Sequence, residues 1–405
     1  MPPSPVPEPA PAGSLTVPEP TLRVEMDDPS SVHEARRVAG RLATGLGYGV
    51  VERERIAIVV SELASNVVKH TRGGSLLLQP ALRDGSLEVL ALDHGPGMAD
   101  VRRCLRDGYS TGGGLGAGLG AVRRQSAGTS IFSEPREGTV VHARFAPPGA
   151  PRPAPGGATL PDRPAEDLTV LRLPATGETA CGDAVAVLTL GGAGTLLLMV
   201  DGLGHGPAAA EAAELATAVL PELAAGLAAP GTGTAPGGRS AGRSAPGAAA
   251  ERATPPAPAA PTGPAAGPSP ARLLSALHQR LRHTRGAAAV IAHLDPARSV
   301  LRAAGIGNVV LAVQPAQGRP WRLVGRPGTL GRQIPAPTDQ ELRLNPGDRL
   351  IMHTDGLNTR WNLTDRPALL RTPPPVMATV LLRDHTRGRD DATVLVADCP
   401  PREAA

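Results

Sequence analysis

The chain has 405 residues, enough for two hydrophobic cores of ordinary size. Its 49 glycines and 45 prolines are too many for compact domains alone, so part of the chain is expected to be disordered. The formal net charge is only +4, the arginines are scattered, and Phe, Tyr and Trp occur twice each. A nucleic-acid-binding regulator would cluster basic residues with aromatic ones, so this composition argues against a nucleic-acid partner.

The cysteines and the apolar runs indicate where the protein works. Cys104, Cys181 and Cys399 form no C-x-x-C pair, which favours reduced thiols over disulfides or a zinc site. The first residues contain neither the basic segment nor the apolar segment of an export signal, and no apolar run reaches about 18 residues. We therefore expect a cytoplasmic protein with no membrane partner.

Changes in composition divide the chain into two expected domains. Three segments rich in Pro, Gly or Ala lack an apolar face, and the last of them is expected to be a disordered insertion between two helices. The prediction is a disordered tail at 1–21, a first domain at 22–146, a linker at 147–167, and a second domain at 168–400 with its insertion at 228–268.

Apolar periodicity predicts the elements of the first domain. A helix is indicated by five apolar residues at helical spacing, Ile56, Val59, Val60, Leu63 and Val67. Three extended runs follow it, at Ser75–Gln79, Leu87–Leu92 and Thr139–Phe145. We expect a small α/β sandwich with helices on one face of a mixed sheet.

The polar residues of this domain follow an order typical of nucleotide sites. Glu62, Asn66 and Lys69 lie at i, i+4 and i+7 of the helix, beside its apolar face. A predicted strand then ends in Asp93–Gly97 (D-H-G-P-G), and a glycine-rich run at 112–120 precedes another helix. Such turns let backbone N–H groups reach phosphate oxygens. Each residue taken singly is also explained by a solvated helix face or an ordinary turn.

The motif order E-x-x-x-N, D-x-G-x-G and a glycine lid resembles the GHKL ATP-binding family, over residues 22–146. The resemblance implies Mg-ATP as cofactor, with Asn66 as the magnesium-binding residue and Asp93 as the carboxylate that reads the adenine amino group. It implies further nucleotide contacts at Gly95, Gly97, Gly114, Gly116, Gly118, Gly120 and Thr139. We expect this domain to bind Mg-ATP on its own, since all the motifs lie within it.

No helical hairpin with a phospho-acceptor histidine precedes these motifs, so the anti-sigma-factor serine-kinase branch of the family fits better than a histidine kinase. In that branch Glu62 occupies the position of a general base, which phosphoryl transfer to a serine hydroxyl requires.

Aspartates at predicted strand ends mark a second site in the second domain. Each follows or precedes a hydrophobic strand, in the segments C-G-D-A, V-D-G-L-G-H-G, H-T-D-G-L and R-D-D-A-T, which contain Asp183, Asp201, Asp355, Asp390 and Asp391. Carboxylates with fixed backbones suit a hard divalent cation, and two ions bridged by one carboxylate can activate water for attack on a phosphoryl group. The alternative is a set of ordinary turn aspartates.

This set resembles SpoIIE-type phosphatases, the bacterial branch of the protein phosphatase 2C (PPM) family. The resemblance implies a four-layer α-β-β-α fold and two Mn²⁺ or Mg²⁺ ions. Asp201 would bridge both ions and hold the activated water, and Gly202 would offer its carbonyl. Asp183, Asp355 and Asp390 would complete the metal site, with Asp391 the less favoured of its pair.

Together the two resemblances predict an α+β protein of two domains that acts in bacterial partner switching. The phosphatase would dephosphorylate a STAS-type anti-anti-sigma protein, and the first domain would phosphorylate or dock the same class of protein. The alternative is an ATP-gated anti-sigma-like binding protein with an inactive phosphatase. A homodimer is left open.

Overall fold

The structure is a computed structural model, and it describes residues 13–71, 73–101, 118–150, 168–228 and 267–399. The described residues form two α+β domains, as the sequence predicts. Most of the linker, most of the insertion and the glycines of the lid before Gly118 lie outside the described residues. No helix within the described ranges is long and apolar enough to cross a membrane.

Among its described residues, the amino-terminal domain packs three helices on one face of a five-stranded sheet. Its helices are α1 (Ser31–Gly45), α2 (Val50–His70) and α3 (Gly118–Gln125). Its strands are β2 (Leu22–Glu25), β3 (Gly74–Pro80), β4 (Leu87–Asp93), β5 (Gly128–Glu134) and β6 (Gly138–Arg144), in the spatial order β2-β3-β4-β6-β5. Every pairing is antiparallel, so the predicted mixed sheet is wrong in that detail. The short connections β3–β4 and β5–β6 are hairpins, which impose this direction.

The carboxy-terminal domain stacks two sheets between helices. Its strands are β1 (Leu15–Thr16), β7 (Leu168–Leu173), β8 (Asp183–Thr189), β9 (Thr195–Gly202), β10 (Ala287–Asp295), β11 (Val300–Ile306), β12 (Val310–Gln314), β13 (Trp321–Arg322), β14 (Gln340–Arg343), β15 (Arg349–His353) and β16 (Ala392–Asp398). Its helices are α4 (Pro207–Ala228), α5 (Pro270–Arg280), α6 (Pro367–Leu370) and α7 (Pro374–His385), with 3-10 turns at Gly191–Ala193 and Leu281–His283.

The two sheets have distinct neighbours. The outer sheet has the order β1-β8-β9-β10-β11-β14 and is covered by α4 and α5. The central sheet has the order β13-β12-β15-β16-β7 and packs between the outer sheet and α7. The predicted α-β-β-α layering is therefore confirmed.

Helix α7 is buried on all sides because it belongs to both domains. Every residue from Pro374 to Arg383 is buried, and a helix that is apolar all round needs partners all round. One side packs on the central sheet, and the other packs on the face of the amino-terminal sheet opposite α1 and α2. The side chains of strand β3 alternate between these two faces. Leu77 packs in the hydrophobic cluster around α7, here called the α7 core, while Leu76 and Leu78 face the core under α2.

This shared core changes the expectation that the amino-terminal domain works on its own. Five of its side chains lie in the α7 core: Leu77, Leu90, Leu92, Phe132 and Val140. Separating the domains would expose both sides of this contact to water, which is unfavourable in proportion to the apolar area.

The amino-terminal segment also ties the domains together, so the disordered tail predicted for residues 1–21 is wrong for residues 13–21. Strand β1 pairs with β8 of the outer sheet, with Leu15 opposite Leu188. The backbone of Thr21 then donates to the carbonyl of Arg172 in the central sheet at 2.8 Å, and its hydroxyl donates to Gln79 in the amino-terminal sheet at 2.7 Å. Backbone pairing holds this segment although its proline-rich composition suggested none.

Leu77→Ala tests the shared core. We expect a loss of about 2–5 kcal/mol in the free energy of unfolding, because a fully buried leucine leaves a cavity. Denaturant unfolding followed by tryptophan fluorescence checks it. Both tryptophans, Trp321 and Trp361, lie in the carboxy-terminal domain, so a shift in their transition reports coupling across the α7 core.

Leu78→Ala is the matched control, because Leu78 is equally buried but faces the opposite core. We expect it to move the tryptophan transition less than Leu77→Ala does. A tryptophan midpoint that Leu77→Ala leaves unchanged would contradict the shared core.

Candidate active sites

The sheets bring the predicted aspartates together at one end of the carboxy-terminal domain. Asp183 begins β8 and lies directly opposite Asp201 near the end of β9. Asp355 follows β15, and Asp390 lies two residues before β16. Asp183 is buried, and the other three line an open cavity of about 410 Å³. The lining residues of this cavity are Asp201, Leu203, Gly204, Ala288, Gly307, Asn308, Pro327, Gly328, Thr329, Asp355 and Asp390.

The carboxylates repel one another because they are close and partly buried. Burial and then the charges of Asp183, Asp355 and Asp390 together raise the pKa of Asp201 to about 8. Burial likewise raises the pKa of Asp183 to about 7, although Thr354 donates to it. Burial and then Asp390 raise the pKa of Asp355, with Arg387 opposing them. The pocket is therefore a cluster of negative charge that a cation would relieve.

Neighbouring side chains hold the carboxylates in place. The hydroxyl of Thr354 donates to Oδ2 of Asp183 at 2.7 Å, and it accepts from the backbone N–H of Thr393 at 3.0 Å. The amide of Asn308 donates to Oδ2 of Asp355 at 2.7 Å. Each bond fixes the orientation of one carboxylate.

His353, directly behind Thr354, is a neutral structural residue. It is fully buried, and burial lowers its pKa to about 4. Its Nδ1 lies 2.8 Å from the carbonyl oxygen of Thr354, and its Nε2 lies 3.1 Å from the indole nitrogen of Trp361. A carbonyl only accepts and an indole N–H only donates, so the ring proton is on Nδ1.

Asp391 differs from its neighbour Asp390. Its Oδ1 accepts from the backbone N–H of Ala175 at 2.7 Å, and its Oδ2 accepts from that of Gly182 at 2.8 Å. Asp391 is buried, whereas Asp390 is exposed and lines the cavity. Both oxygens of Asp391 thus brace the backbone beside the pocket, which agrees with Asp390 being the favoured ligand of the pair.

The donor set fits hard divalent cations that keep part of their water. All four candidate ligand side chains are carboxylates, the chemistry that Mg²⁺ and Mn²⁺ prefer. Within the described ranges, no three His, Cys, Asp or Glu side chains stand close enough together to hold one ion by themselves. Mg²⁺ commonly takes one or two carboxylates and completes its shell with water, so the arrangement is compatible with it.

Three other residues near the pocket have identifiable roles. The guanidinium of the exposed Arg285 lies beside Gly204 at the cavity wall. His205 is exposed, does not line the cavity, and lies 3.2 Å from a carboxylate oxygen of Glu178. Burial raises the pKa of the Cys181 thiol to about 12, so this cysteine is a packing residue.

In the amino-terminal domain, Asp93 ends β4 beside Thr139 of β6. Burial raises the pKa of Asp93, while backbone N–H groups of Gly95 and Thr139 oppose the shift. The N–H of Gly95 donates to Oδ1 of Asp93 at 2.7 Å. The strand pairing thus places Asp93, Gly95 and Thr139 together.

Two glycines allow the loop after Asp93 to approach its neighbours. Gly97 and Gly138 both have positive φ, at 68° and 89°. A Cβ at Gly97 would collide with the carbonyl of Glu134, and a Cβ at Gly138 would collide with that of Asp93. Glycine is therefore required at both positions for the β5–β6 turn to close on this loop.

Glu62 and Asn66 lie half-buried on α2, whose apolar side packs on β3 and β4. The C-terminal end of α2 reaches the Asp93 loop, since a Cβ at Gly95 would touch the side chain of Thr71. Gly118 and Gly120 begin α3, while Gly114 and Gly116 lie outside the described residues.

Residues 191–400 match the family model described as Stage II sporulation protein E (SpoIIE), which covers just over half of the chain. The chain belongs to the SpoIIE family. Residues 26–145 match the model described as Histidine kinase-like ATPase domain. The chain thus joins a PP2C-type serine/threonine phosphatase domain of the SpoIIE family to a GHKL-like ATPase domain.

Parts of the chain are also similar to individual proteins and solved structures. Serine/threonine-protein kinase RsbT of Bacillus subtilis strain 168 is 39% identical over 111 residues, which are 27% of this chain and 84% of that protein. One solved structure is described as "The bacterial stressosome: a modular system that has been adapted to control secondary messenger signaling". It is 26% identical to this chain, with a TM-score of 0.42, and the match covers 57% of this chain and 98% of that one. The structure of the RsbU and RsbW domains of Rv1364c from Mycobacterium tuberculosis is 18% identical to this chain, with a TM-score of 0.43. The match covers 60% of this chain and 63% of that one.

Sequence reasoning missed three residues that organise this SpoIIE-family site. The sequence motifs alone single out none of Asn308, Thr354 and Arg285. The neighbouring residue offered a signal for two of them, since Thr354 precedes Asp355 and Asn308 follows a glycine at a strand end. Their partners are far away in sequence, so only the fold shows the contacts.

Asp391→Asn should destabilise the fold by about 1–3 kcal/mol, because an amide nitrogen would face one backbone N–H that then has no acceptor. Denaturant unfolding in EDTA measures the loss without a metal contribution. Asp390→Asn is the control, and we expect it to change stability by less than about 0.5 kcal/mol. Equal losses in the two variants would contradict the separate roles.

Proposed function

We propose that this chain removes phosphate from a phosphorylated serine or threonine of a STAS-type anti-anti-sigma protein, with two Mn²⁺ or Mg²⁺ ions at the carboxylate pocket. Asp201 would bridge the ions, and Asp183, Asp355, Asp390 and the carbonyl of Gly202 would complete their protein ligands. When bound, the ions supply an activated water and neutralise phosphoryl charge. The work is proposed to take place in the cytoplasm.

The observation that carries this proposal is that three carboxylates, those of Asp201, Asp355 and Asp390, line one open cavity, with Asp183 directly opposite Asp201 in the sheet. Burial and the neighbouring carboxylates raise the pKa of Asp201 to about 8, so a negative charge there favours a cation as its partner. An open pocket beside it admits a side chain that projects from another protein. Three protein residues there have two tasks: Thr354 and Asn308 orient carboxylates, and Arg285 would offer a cation to the approaching phosphate.

We propose that the amino-terminal domain binds Mg-ATP and phosphorylates the same class of protein. Asn66 would hold magnesium, Asp93 would accept from the adenine amino group, and Glu62 would act as the general base. Gly95, Gly97, Thr139 and the glycine lid through Gly118 and Gly120 would surround the nucleotide. The similarity to RsbT, which is named a serine/threonine-protein kinase, supports kinase activity.

Asp201→Asn should lower hydrolysis of p-nitrophenyl phosphate at least about a hundredfold, because it removes the carboxylate shared by the two proposed ions. Steady-state rates at saturating Mn²⁺ measure the effect, and EDTA should abolish the wild-type rate. Glu178→Gln is the matched control, since Glu178 is a nearby acidic residue that does not line the cavity. Near-wild-type turnover in Asp201→Asn would remove the site assignment.

Glu62→Gln should keep Mg-ATP binding and abolish serine phosphorylation, because it removes a base without removing a nucleotide contact. Asp93→Asn should weaken nucleotide binding, because an amide can present a donor to the adenine amino group. Calorimetry measures binding, and phosphotransfer is measured in an Asp201→Asn background so that the product survives. Full phosphotransfer by Glu62→Gln would overturn the role of Glu62.

The substrate class is tested with each STAS protein of the host. The full chain is incubated with the phosphorylated form and Mn²⁺, or with the unmodified form and Mg-ATP, and serine phosphorylation is followed by mass spectrometry. Hydrolysis of p-nitrophenyl phosphate without action on any STAS protein would retain the phosphatase and reject this substrate.

A further inference from the structure

Arg383, the last buried residue of α7, directly contacts the Asp93–Gly97 loop, here called the candidate adenine loop. Nη1 of Arg383 donates to the backbone carbonyl of Asp93 at 3.3 Å. Arg383 is 5% exposed, and its Nε donates to Asp384 at 2.6 Å. A buried guanidinium from the phosphatase domain therefore holds the backbone of the residue proposed to read adenine.

A second arginine, Arg366 directly before α6, makes a similar link. Nη2 of Arg366 donates to Glu134 at 2.6 Å and Nη1 donates to Asp384 at 2.8 Å. Glu134 ends β5, in the turn that closes on the Asp93–Gly97 loop, where the N–H of Arg136 donates to the carbonyl of Pro96 at 2.8 Å. The candidate adenine loop and the end of α7 thus share one network of charged hydrogen bonds.

The residues directly after Arg383 hold the loop that carries Asp355. The N–H of Asn358 donates to the carbonyl of His385 at 2.7 Å, and the N–H of Arg387 donates to the carbonyl of Gly356 at 2.8 Å. Thr386 and Leu357 form a bridge between these two bonds. Every residue from Gly356 to Asn358 is therefore tied to the turn after α7.

We propose that nucleotide binding in the amino-terminal domain raises the activity of the phosphatase through Arg383–Arg387. One short segment is bonded at its start to the candidate adenine loop and at its end to the Asp355 loop, with no flexible linker between them. A nucleotide that orders the Asp93 loop favours one position of Arg383, and the turn that supports Asp355 moves with it. This inference rests on the proposed function, because it requires both an ATP site and a working phosphatase.

The coupling is a difference in free energy between two sites, so it works in both directions. Nucleotide can alter the phosphatase only by as much as it prefers the arrangement in which Asp355 is in place. Hydrogen bonds that involve charged groups, as at Arg383 and Arg366, are strong enough to carry such a preference.

The test measures hydrolysis of p-nitrophenyl phosphate by the full chain at fixed free Mn²⁺, with and without a non-hydrolysable ATP analogue. Calorimetry on the same preparation establishes that the analogue is bound. We expect the analogue to raise kcat/KM about fivefold, within the usual range of allosteric coupling. Arg383→Met should keep the rate without nucleotide and lose the increase, since methionine retains an apolar stem in the buried helix.

Arg366→Met is the second variant and decides the test if Arg383→Met does not fold. Arg280→Met is the control, because Arg280 pairs with Glu222 on the helices beyond the outer sheet and should leave the response intact. Equal or lower rates in nucleotide-loaded wild type overturn the proposal, as does a response that survives in both test variants. A wild type that binds no nucleotide or hydrolyses no substrate contradicts the proposed function itself, and the coupling with it.

Discussion

The burial of α7 from two sides is the constraint on which the rest of the structure depends. Its sequence, P-P-V-M-A-T-V-L-L-R-D-H, has no polar stripe, so it cannot lie on the surface of a domain. The central sheet covers one side and the amino-terminal sheet covers the other. The helix is therefore the outer layer of the phosphatase domain, and it also covers the face of the ATPase-like sheet that α1 and α2 leave open. The two domains that the sequence predicts thus form one continuous stack of layers.

The α7 core brings together groups that attract one another, whereas the candidate metal site holds together groups that repel one another. The fold places like charges together at strand ends, where backbone pairing fixes Asp183 opposite Asp201. Hydrogen bonds from Thr354 and Asn308 orient the carboxylates without neutralising them. A site that is unfavourable when empty gains most from a bound cation, which is how stability is exchanged for function in many active sites.

Much of this could be predicted from the sequence because the signals are local. Helical spacing located α2, and strand ends followed by Asp-Gly located Asp201 and Asp355. What could not be predicted depends on contacts distant in the chain. Nothing near Asp391 says that its oxygens bind Ala175 and Gly182, more than 200 residues away. The pairing of β1 with β8 could not be predicted for a related reason. It depends on backbone hydrogen bonds to a distant strand, and the side-chain composition of the proline-rich segment gives no sign of them.

The shared layer also bears on why two opposed activities would occupy one chain. A kinase and a phosphatase that act on the same serine, with neither controlled, would hydrolyse ATP without changing the substrate. A chain that carries both proposed activities is useful only if occupancy of one site alters the other. Independent domains on a flexible linker would need an outside partner for that control. Here the carbonyl of Asp93 and the loop of Asp355 are bonded to the same five residues, Arg383–Arg387, so the physical connection is already within the fold.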